Sequence, residues 1–250
     1  MFVQSIDPIL LTLGPLQFRW YGLLYATGWL ISYIIIGNEI KKRKIASEEL
    51  YQKIFLYALI GGVAGARIGS IISDLPFYLK NPAEIIAIWH GGVAFHGGLV
   101  GLILVGWWQL KKHKIDFLKV ADTIVGPIAL SLGIGRIGNF INSEFIGTTT
   151  NLPWGVIFPD VLGARHPVQL YETVLMTAIF IGWFLLKDKK LHKGMLLAGF
   201  LISYGVGRFL LEYLKDPSGV THIFGLTWGQ FWNIPMIFAG IYIFYRARTK

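Results

Sequence analysis

Cysteine is absent from the 250 residues. That excludes a disulfide framework, a thiolate metal site and a cysteine nucleophile belonging to the chain itself. Charge is scarce too. Only 15% of residues are Asp, Glu, Lys or Arg, where a soluble domain carries roughly 25%. With 54% hydrophobic residues and a mean hydropathy of +0.56, there is too little polar surface to face water all round, so much of the chain must face lipid. Metal motifs are missing as well: no HExxH, no carboxylate cluster, and His90 and His96 lie six residues apart. Neither a metal nor a cofactor is expected. No low-complexity tract or internal repeat breaks the chain, which reads as one membrane-embedded domain over residues 1–250.

What is present fits a bilayer. The 30 glycines let helices approach closely, and the 9 tryptophans favour the lipid–water boundary. The net charge of +9 could suggest nucleic acid, but the basic residues fall in short runs between apolar stretches, and no nucleic-acid partner is expected. Met1 to Pro15 lacks the basic start of a cleavable signal peptide, and its apolar run is broken at Gly14-Pro15. It is expected to lie along the membrane surface.

A spanning helix needs about 20 mostly apolar residues. Seven stretches qualify: Phe18–Gly37, Tyr51–Ile72, Ile85–Trp108, Val120–Ile141, Val168–Leu186, Gly194–Leu214 and Trp228–Tyr245. The expected fold is an all-α integral membrane protein of about seven helices. Lysine and arginine in short loops mark the cytoplasmic side. Lys41 to Lys44, Lys111, Lys112, Lys114, Lys187, Lys189, Lys190, Lys193, Arg246, Arg248 and Lys250 put 14 of 23 basic residues on one side, against Arg19, Lys80, Arg165 and Lys215 on the other. That places the N-terminus outside and the C-terminus inside.

Charged and polar groups within spans are costly and mark candidate sites. Arg67, His96, Arg136, Glu172, Arg208 and Glu212 lie within spans, with Asn139, Asn142 and Glu144 at the outer end of the fourth. By the direction of each span, nearly all fall in the outer half of the bilayer. Three arginines at similar depth suit an anionic group, because the planar guanidinium matches phosphate. Simpler roles stand beside this one. Arg67 and Glu144 could be structural ion-pair partners, Arg208 and Glu212 at i, i+4 could pair with each other, and Tyr21 beside Trp20 could belong to an interfacial belt. Gly61, Gly65 and Gly69 read as helix packing.

The most informative segment runs Gly-Arg-Ile-Gly-Asn-Phe-Ile-Asn-Ser-Glu-Phe-Ile-Gly from Gly135 to Gly147. Arg136, Asn139 and Asn142 recur at i, i+3 and roughly share a face, so one cationic fork and two amides can point into one cavity. This segment closely resembles the signature GRxGNFxNxExxG of the bacterial prolipoprotein diacylglyceryl transferases. Four further stretches match in order: Arg19-Trp20-Tyr21-Gly22, Gly91 to Gly98, Arg165 to Glu172, and Tyr204 to Arg208.

The resemblance implies transfer of diacylglyceryl from phosphatidylglycerol to the lipobox cysteine of a secreted prolipoprotein, with release of glycerol phosphate, at the bacterial cytoplasmic membrane. The partners would be phosphatidylglycerol, the signal peptide carrying the lipobox cysteine, and membrane lipid. It also implies Arg136 as the headgroup ligand and Tyr21, His96, Asn139, Glu144, Gly147 and Arg208 as further site positions. Asn142, Gly97 and Gly98 join them, and Arg67, Glu172 and Glu212 rest mainly on depth. His96 could act as a base on the incoming thiol or as a positioning group. The competing reading is a transporter or flippase of an anionic lipid or solute, since embedded arginines and glycine-interrupted helices suit that class too; a membrane scaffold is a distant third.

Overall fold

The computed structural model describes residues 2–87, 90–92, 94–218 and 222–249. Eight helices carry most of them: α1 (Trp20–Lys42), α2 (Glu48–Ser73), α3 (Leu75–Lys80), α4 (Phe95–Lys112), α5 (Phe117–Ile141), α6 (Val168–Leu186), α7 (Met195–Leu211) and α8 (Trp228–Arg248). Short strands join them: β1 (Phe2–Val3), β2 (Ile9–Leu13), β3 (Leu16–Arg19), β4 (Val156–Ile157), β5 (Ala164–Arg165), β6 (His222–Ile223) and β7 (Leu226–Thr227). Five helical stretches are long and apolar enough to cross a membrane: α1, α2, α5, α6 and Met195–Leu214. Their outward faces are apolar and uncovered, with Val174 67% and Leu185 65% exposed. Lipid is the solvent in which that arrangement has no penalty. The chain divides into two compact units, residues 37–120 and residues 1–36 with 121–250.

In the unit of residues 37–120, α2 begins at Ser47, whose Oγ accepts from the Leu50 N–H at 3.2 Å. Glu48 and Glu49 in the first turn suit the positive end of the helix. Farther along, Gly61 makes room for the Val105 side chain of α4, and Gly65 and Gly69 lie against the α4 backbone at Gly97 and Gly101. A Cβ on Gly65 would run into the Gly97 carbonyl oxygen and sit 2.9 Å from the Gly101 Cα, and one on Gly98 would lie 3.2 Å from the Ala66 Cβ. The α4 side of the small-residue contact is therefore Gly97-Gly98-Gly101, and at Gly65 backbone contact takes the place of interdigitated side chains.

The stretch before α4 departs from expectation. The sequence predicts a helix from Ile85, but α4 starts at Phe95. A short 3₁₀ turn covers Pro82–Ile85, and Gly91 and Gly92 adopt φ of 93° and 71°. A helix cannot run through two such residues. Ile88, Trp89 and Val93 lie outside the described residues, as does Lys250.

The unit holding residues 1–36 and 121–250 is built on α5. α1 packs along it past the internal Pro127: the Ser32 hydroxyl donates to the Pro127 carbonyl at 2.6 Å, and Gly28 lies flat against Ser131. Gly126 similarly makes room for the Trp183 ring, whose Nε1 donates to the Asp122 carbonyl at 2.8 Å. The Asp122 carboxylate accepts from the N–H groups of Gly194 (2.6 Å) and Leu197 (2.8 Å), so a residue early in α5 caps the start of α7. At the other end of α5, Phe140 packs with Val156 and Phe158 beneath a three-stranded sheet ordered β1-β4-β5. The N-terminal segment forms a hairpin, β2 against β3, with Leu13 and Leu16 flanking Gly14-Pro15. Gly14 has φ 58° and Pro15 cannot follow it into positive φ, which is the II′ pattern of a two-residue hairpin turn.

The glycine contact makes a stability prediction. Gly65→Val should destabilise the detergent-solubilised protein by about 1–3 kcal/mol or more, lowering its thermal midpoint by several degrees. Gly106→Ala, whose methyl would meet only the Ala58 Cβ at 3.9 Å, should not lower the midpoint. A valine variant as stable as the parent would rule out the α2–α4 contact.

Candidate active site

One carboxylate organises the polar interior of the α5–α7 unit. Glu172, on the second turn of α6, is 3% exposed at its side chain and meets three cations. Its Oε2 pairs with Nε of Arg136 from α5. Its Oε1 takes the Arg208 Nη1 from α7 at 2.8 Å and the Lys215 Nζ at 3.3 Å. Glu212, in the 3₁₀ turn that ends α7, binds the same two donors, Arg208 at 3.0 Å and Lys215 at 3.2 Å. Thr227 donates to its other oxygen at 3.1 Å. The expected i, i+4 pair of Arg208 and Glu212 thus forms, but as part of a larger cluster. A buried charge is tolerable only when paired in this way.

The signature segment closes a second arm of the network. Arg136 Nη1 donates to the Asn139 Oδ1 at 3.1 Å, one turn along α5. Asn139 Nδ2 donates to the Glu144 Oε2 at 2.6 Å, and Asn142 Nδ2 to the Oε1 at 3.2 Å. Glu144 lies beyond the helix, so the chain must double back to bring its carboxylate there. Ser143 and Phe145 do this by adopting φ of 55° and 56°, the left-handed region that L side chains seldom occupy. Gln169 on the first turn of α6 donates to the Glu144 backbone carbonyl. The Tyr21 ring, at the start of α1, packs on α5 at Gly138, where a Cβ would lie 2.9 Å from it.

Gly147 is held between two backbones. Its N–H donates to the His166 carbonyl at 3.1 Å, it bridges to Lys215, and a Cβ would come within 2.7 Å of the Leu214 carbonyl oxygen. The position therefore needs glycine to join the segment after Glu144 to the segment after Glu212.

Two neighbours were not singled out by sequence. Lys215 counts there as a loop cation, yet it joins both carboxylates. Its signal was spacing, three residues after Glu212 and seven after Arg208. Burial pushes the Lys215 ammonium below the ordinary lysine range and Arg208 adds to that, while Glu172 and Glu212 oppose it. The protonated form is thus the strained one in the folded state: stability rises with pH across the window between the lowered value and the ordinary 10.5. The Phe145 ring lies under both Arg136 (5.6 Å) and Lys215 (5.7 Å), a cation–π contact on each. Next to Lys215, Asp216 is held below the carboxylate range, first by its hydrogen bonds from Ser218 and then by Arg165, which pairs with it at 3.0 Å.

The cations gather on two carboxylates, with Glu144 a third that is reached through Asn139. Three cations, Arg136, Arg208 and Lys215, contact two carboxylates, Glu172 and Glu212. Arg136 is the most open of the three, with 27% of its side chain exposed against 14% and 15%. Its Nη2 is engaged by no described residue. A guanidinium with an uncommitted donor and access from outside can take up an oxyanion.

The other sequence candidates belong to the unit of residues 37–120. Arg67 is buried, and all of its donors go to backbone carbonyls: Nε to Ile85 (3.0 Å), Nη1 to Gly91 (2.6 Å) and Gly92 (2.9 Å), and Nη2 to Ala87 (3.1 Å) and Glu84. Tyr78 lies against its guanidinium at 5.1 Å. It fastens the non-helical stretch before α4. His96 is the second residue of α4 and is exposed. Gly97 and Gly98 form the contact with α2 already described.

Comparison with known proteins agrees with the signature. The family model for prolipoprotein diacylglyceryl transferase matches residues 8–246. Curated relatives named phosphatidylglycerol–prolipoprotein diacylglyceryl transferase are similar over almost the whole chain. The one from Nitratidesulfovibrio vulgaris is 40% identical over 252 residues, covering 95% of this chain and 93% of its own. The one from Geobacter sulfurreducens is 38% identical, covering 96% and 95%, and that from Bordetella avium is 37% identical, covering 96% and 94%. The chain belongs to the prolipoprotein diacylglyceryl transferase family.

Proposed function

We propose that this chain carries out the transfer for which its relatives are named, moving diacylglyceryl from phosphatidylglycerol to a prolipoprotein. The observation that carries the reading is the Arg136 guanidinium, the most open of the three cations gathered on Glu172, with 27% of its side chain exposed. A phosphodiester bears one negative charge, which an accessible guanidinium can take up. The acceptor is the lipobox cysteine of the secreted precursor. Its thiol gives up a proton, and the sulfur attacks the glyceryl carbon that bears the phosphate. The carbon–oxygen bond breaks, and its electron pair leaves on the phosphate oxygen as glycerol phosphate, so the product is a thioether. Because the nucleophile comes with the substrate, the absence of cysteine from the chain is no obstacle. Cationic side chains fixed beforehand around the departing phosphate lower the barrier without reorganising as charge develops.

Arg136 is the headgroup ligand in this scheme, held by Glu172 and Asn139. Arg208 and Lys215 add positive field, Asn142 steadies the amide network, Tyr21 packs beside it on Gly138, and Glu144 anchors both asparagines. His96 is assigned on the family resemblance, as the base that takes the thiol proton. The whole chain works as one embedded domain of the bacterial cytoplasmic membrane. Alongside the five apolar helices, α4 and α8 complete seven spans, with the N-terminus outside and the C-terminus in the cytoplasm, following the lysine and arginine distribution.

Three measurements test this. Arg136→Lys keeps the charge but loses the fork that reaches Glu172, Asn139 and phosphate together. Lipidation of a lipobox peptide should fall by about tenfold to a hundredfold, the worth of a charge-assisted bond of roughly 1.5–3 kcal/mol. Kinetics like those of the parent would leave Arg136 no specific role.

His96→Gln should lose about a hundredfold or more near neutral pH, and recover much of it as pH rises toward the thiol's own pKa of about 8.5, where thiolate forms unaided. A deficit that stays constant with pH removes His96 as the base.

Orientation is read by single cysteines on the cysteine-free background. Those at Lys80 and Leu162 should react with an impermeant thiol reagent added outside intact cells, and those at Lys42, Lys112 and Lys190 should not. The inverse pattern overturns the topology.

A further inference from the structure

Phe145 holds a backbone conformation that its own side chain disfavours. Its φ of 56° lies in the left-handed region, which glycine enters freely and an aromatic residue seldom does. Core packing does not account for the residue either. The next residue, Ile146, sits against the buried cluster of Phe140, Val156 and Phe158, whereas Phe145 is 56% exposed. Strain of this kind persists where the surrounding structure over-determines it. What the turn achieves is to lay one ring against two cations, the Arg136 guanidinium at 5.6 Å and the Lys215 ammonium at 5.7 Å. Both cations are also bound to Glu172, Arg136 at Oε2 and Lys215 at Oε1.

We propose that Phe145 is a positioning residue for the transfer, its ring holding the Arg136 guanidinium where Nη2 can meet the lipid phosphate. The proposal rests on the transfer reaction above and adds the group that sets its phosphate ligand.

Three properties suit an aromatic ring to that task. It takes no donor. Nε and Nη1 of Arg136 are already spent on Glu172 and Asn139, and a further carboxylate or amide would hold the guanidinium by consuming Nη2. The ring attracts the cation through its quadrupole instead, so Nη2 stays available. It also carries no net charge, so it steadies the cation without setting another anion against the incoming phosphate. Its base is fixed by the same network. Residue 145 follows Glu144, whose carboxylate binds Asn139 and Asn142 and whose carbonyl is bound by Gln169. The signature leaves position 145 open between Glu144 and Gly147, so the ring tunes a shared site, and a moderate effect is expected from losing it.

The test uses the full-length chain in phosphatidylglycerol proteoliposomes with a lipobox peptide. Phe145→Leu keeps an apolar side chain and removes the quadrupole. It should lower kcat/KM for phosphatidylglycerol by about threefold to thirtyfold, the worth of one cation–π contact. KM for the peptide should stay within about twofold of the parent. Phe145→Tyr keeps the ring and should recover most of the loss. Replacing Phe145 by phenylalanines with successively more ring fluorines preserves shape and apolar character while draining the negative face of the ring. Along that series kcat/KM for phosphatidylglycerol should fall stepwise. A flat series overturns the proposal even where the leucine variant is impaired, because shape or lipid contact would then explain the residue. A leucine variant with the parent's kinetics overturns it as well, and so does an equal rise in peptide KM. Failure of the unaltered chain to lipidate the peptide would instead bring down the transfer reading, and the role of Phe145 with it.

Discussion

The buried Glu172 carboxylate is the constraint on which the α5–α7 unit depends. Its two oxygens bind side chains from α5, from α7 and from the segment after α7. In a bilayer interior none of the four groups could remain charged alone. Each helix is thereby committed to a depth and rotation at which its ion meets the others, and apolar packing only has to accommodate that. Apolar side chains against lipid discriminate poorly between one rotation of a helix and another, so a shared carboxylate supplies specificity that the hydrophobic effect does not.

The signature segment shows the same economy at smaller scale. Arg136 and Asn139 meet because they stand one helical turn apart. Glu144 joins them only through two left-handed residues, Ser143 and Phe145, and its backbone carbonyl is tied to α6 by Gln169. Local backbone strain is sustained where several hydrogen bonds over-determine the geometry, and here they fix the carboxylate that orients both asparagines.

Much of the helical framework was legible from hydropathy. Val168–Leu186 is bounded as the apolar run predicts, because Pro167 and Lys187 bracket it. The late start of α4 was not: apolar composition continues through Ile85–Ala94, while conformation there is decided by Gly91 and Gly92. The N-terminal segment shows apolar composition without revealing that it folds as a hairpin around Gly14-Pro15. Among site residues, local spacing identified Arg136 with Asn139 and Arg208 with Glu212. What spacing cannot give is which helices meet. Glu172 lies 36 residues from Arg208 in sequence, and nothing local announces that Lys215 reaches back to it. Phe145 was invisible for a different reason: an aromatic beside a membrane surface is ordinary, and only the cations on its ring distinguish it.

Arg67 has a bearing on how the chain is made. An arginine within an apolar helix is among the hardest residues to hand over to a membrane. Its acceptors are the carbonyls of residues 84, 85, 87, 91 and 92, which leave the ribosome 17 to 25 residues later. The unfavourable state therefore lasts only until one short hairpin has been synthesised, and needs no distant helix to end it. The stretch that relieves Arg67 is also one that could not keep its own backbone satisfied in lipid. The order of synthesis puts the donor in place before the acceptors arrive.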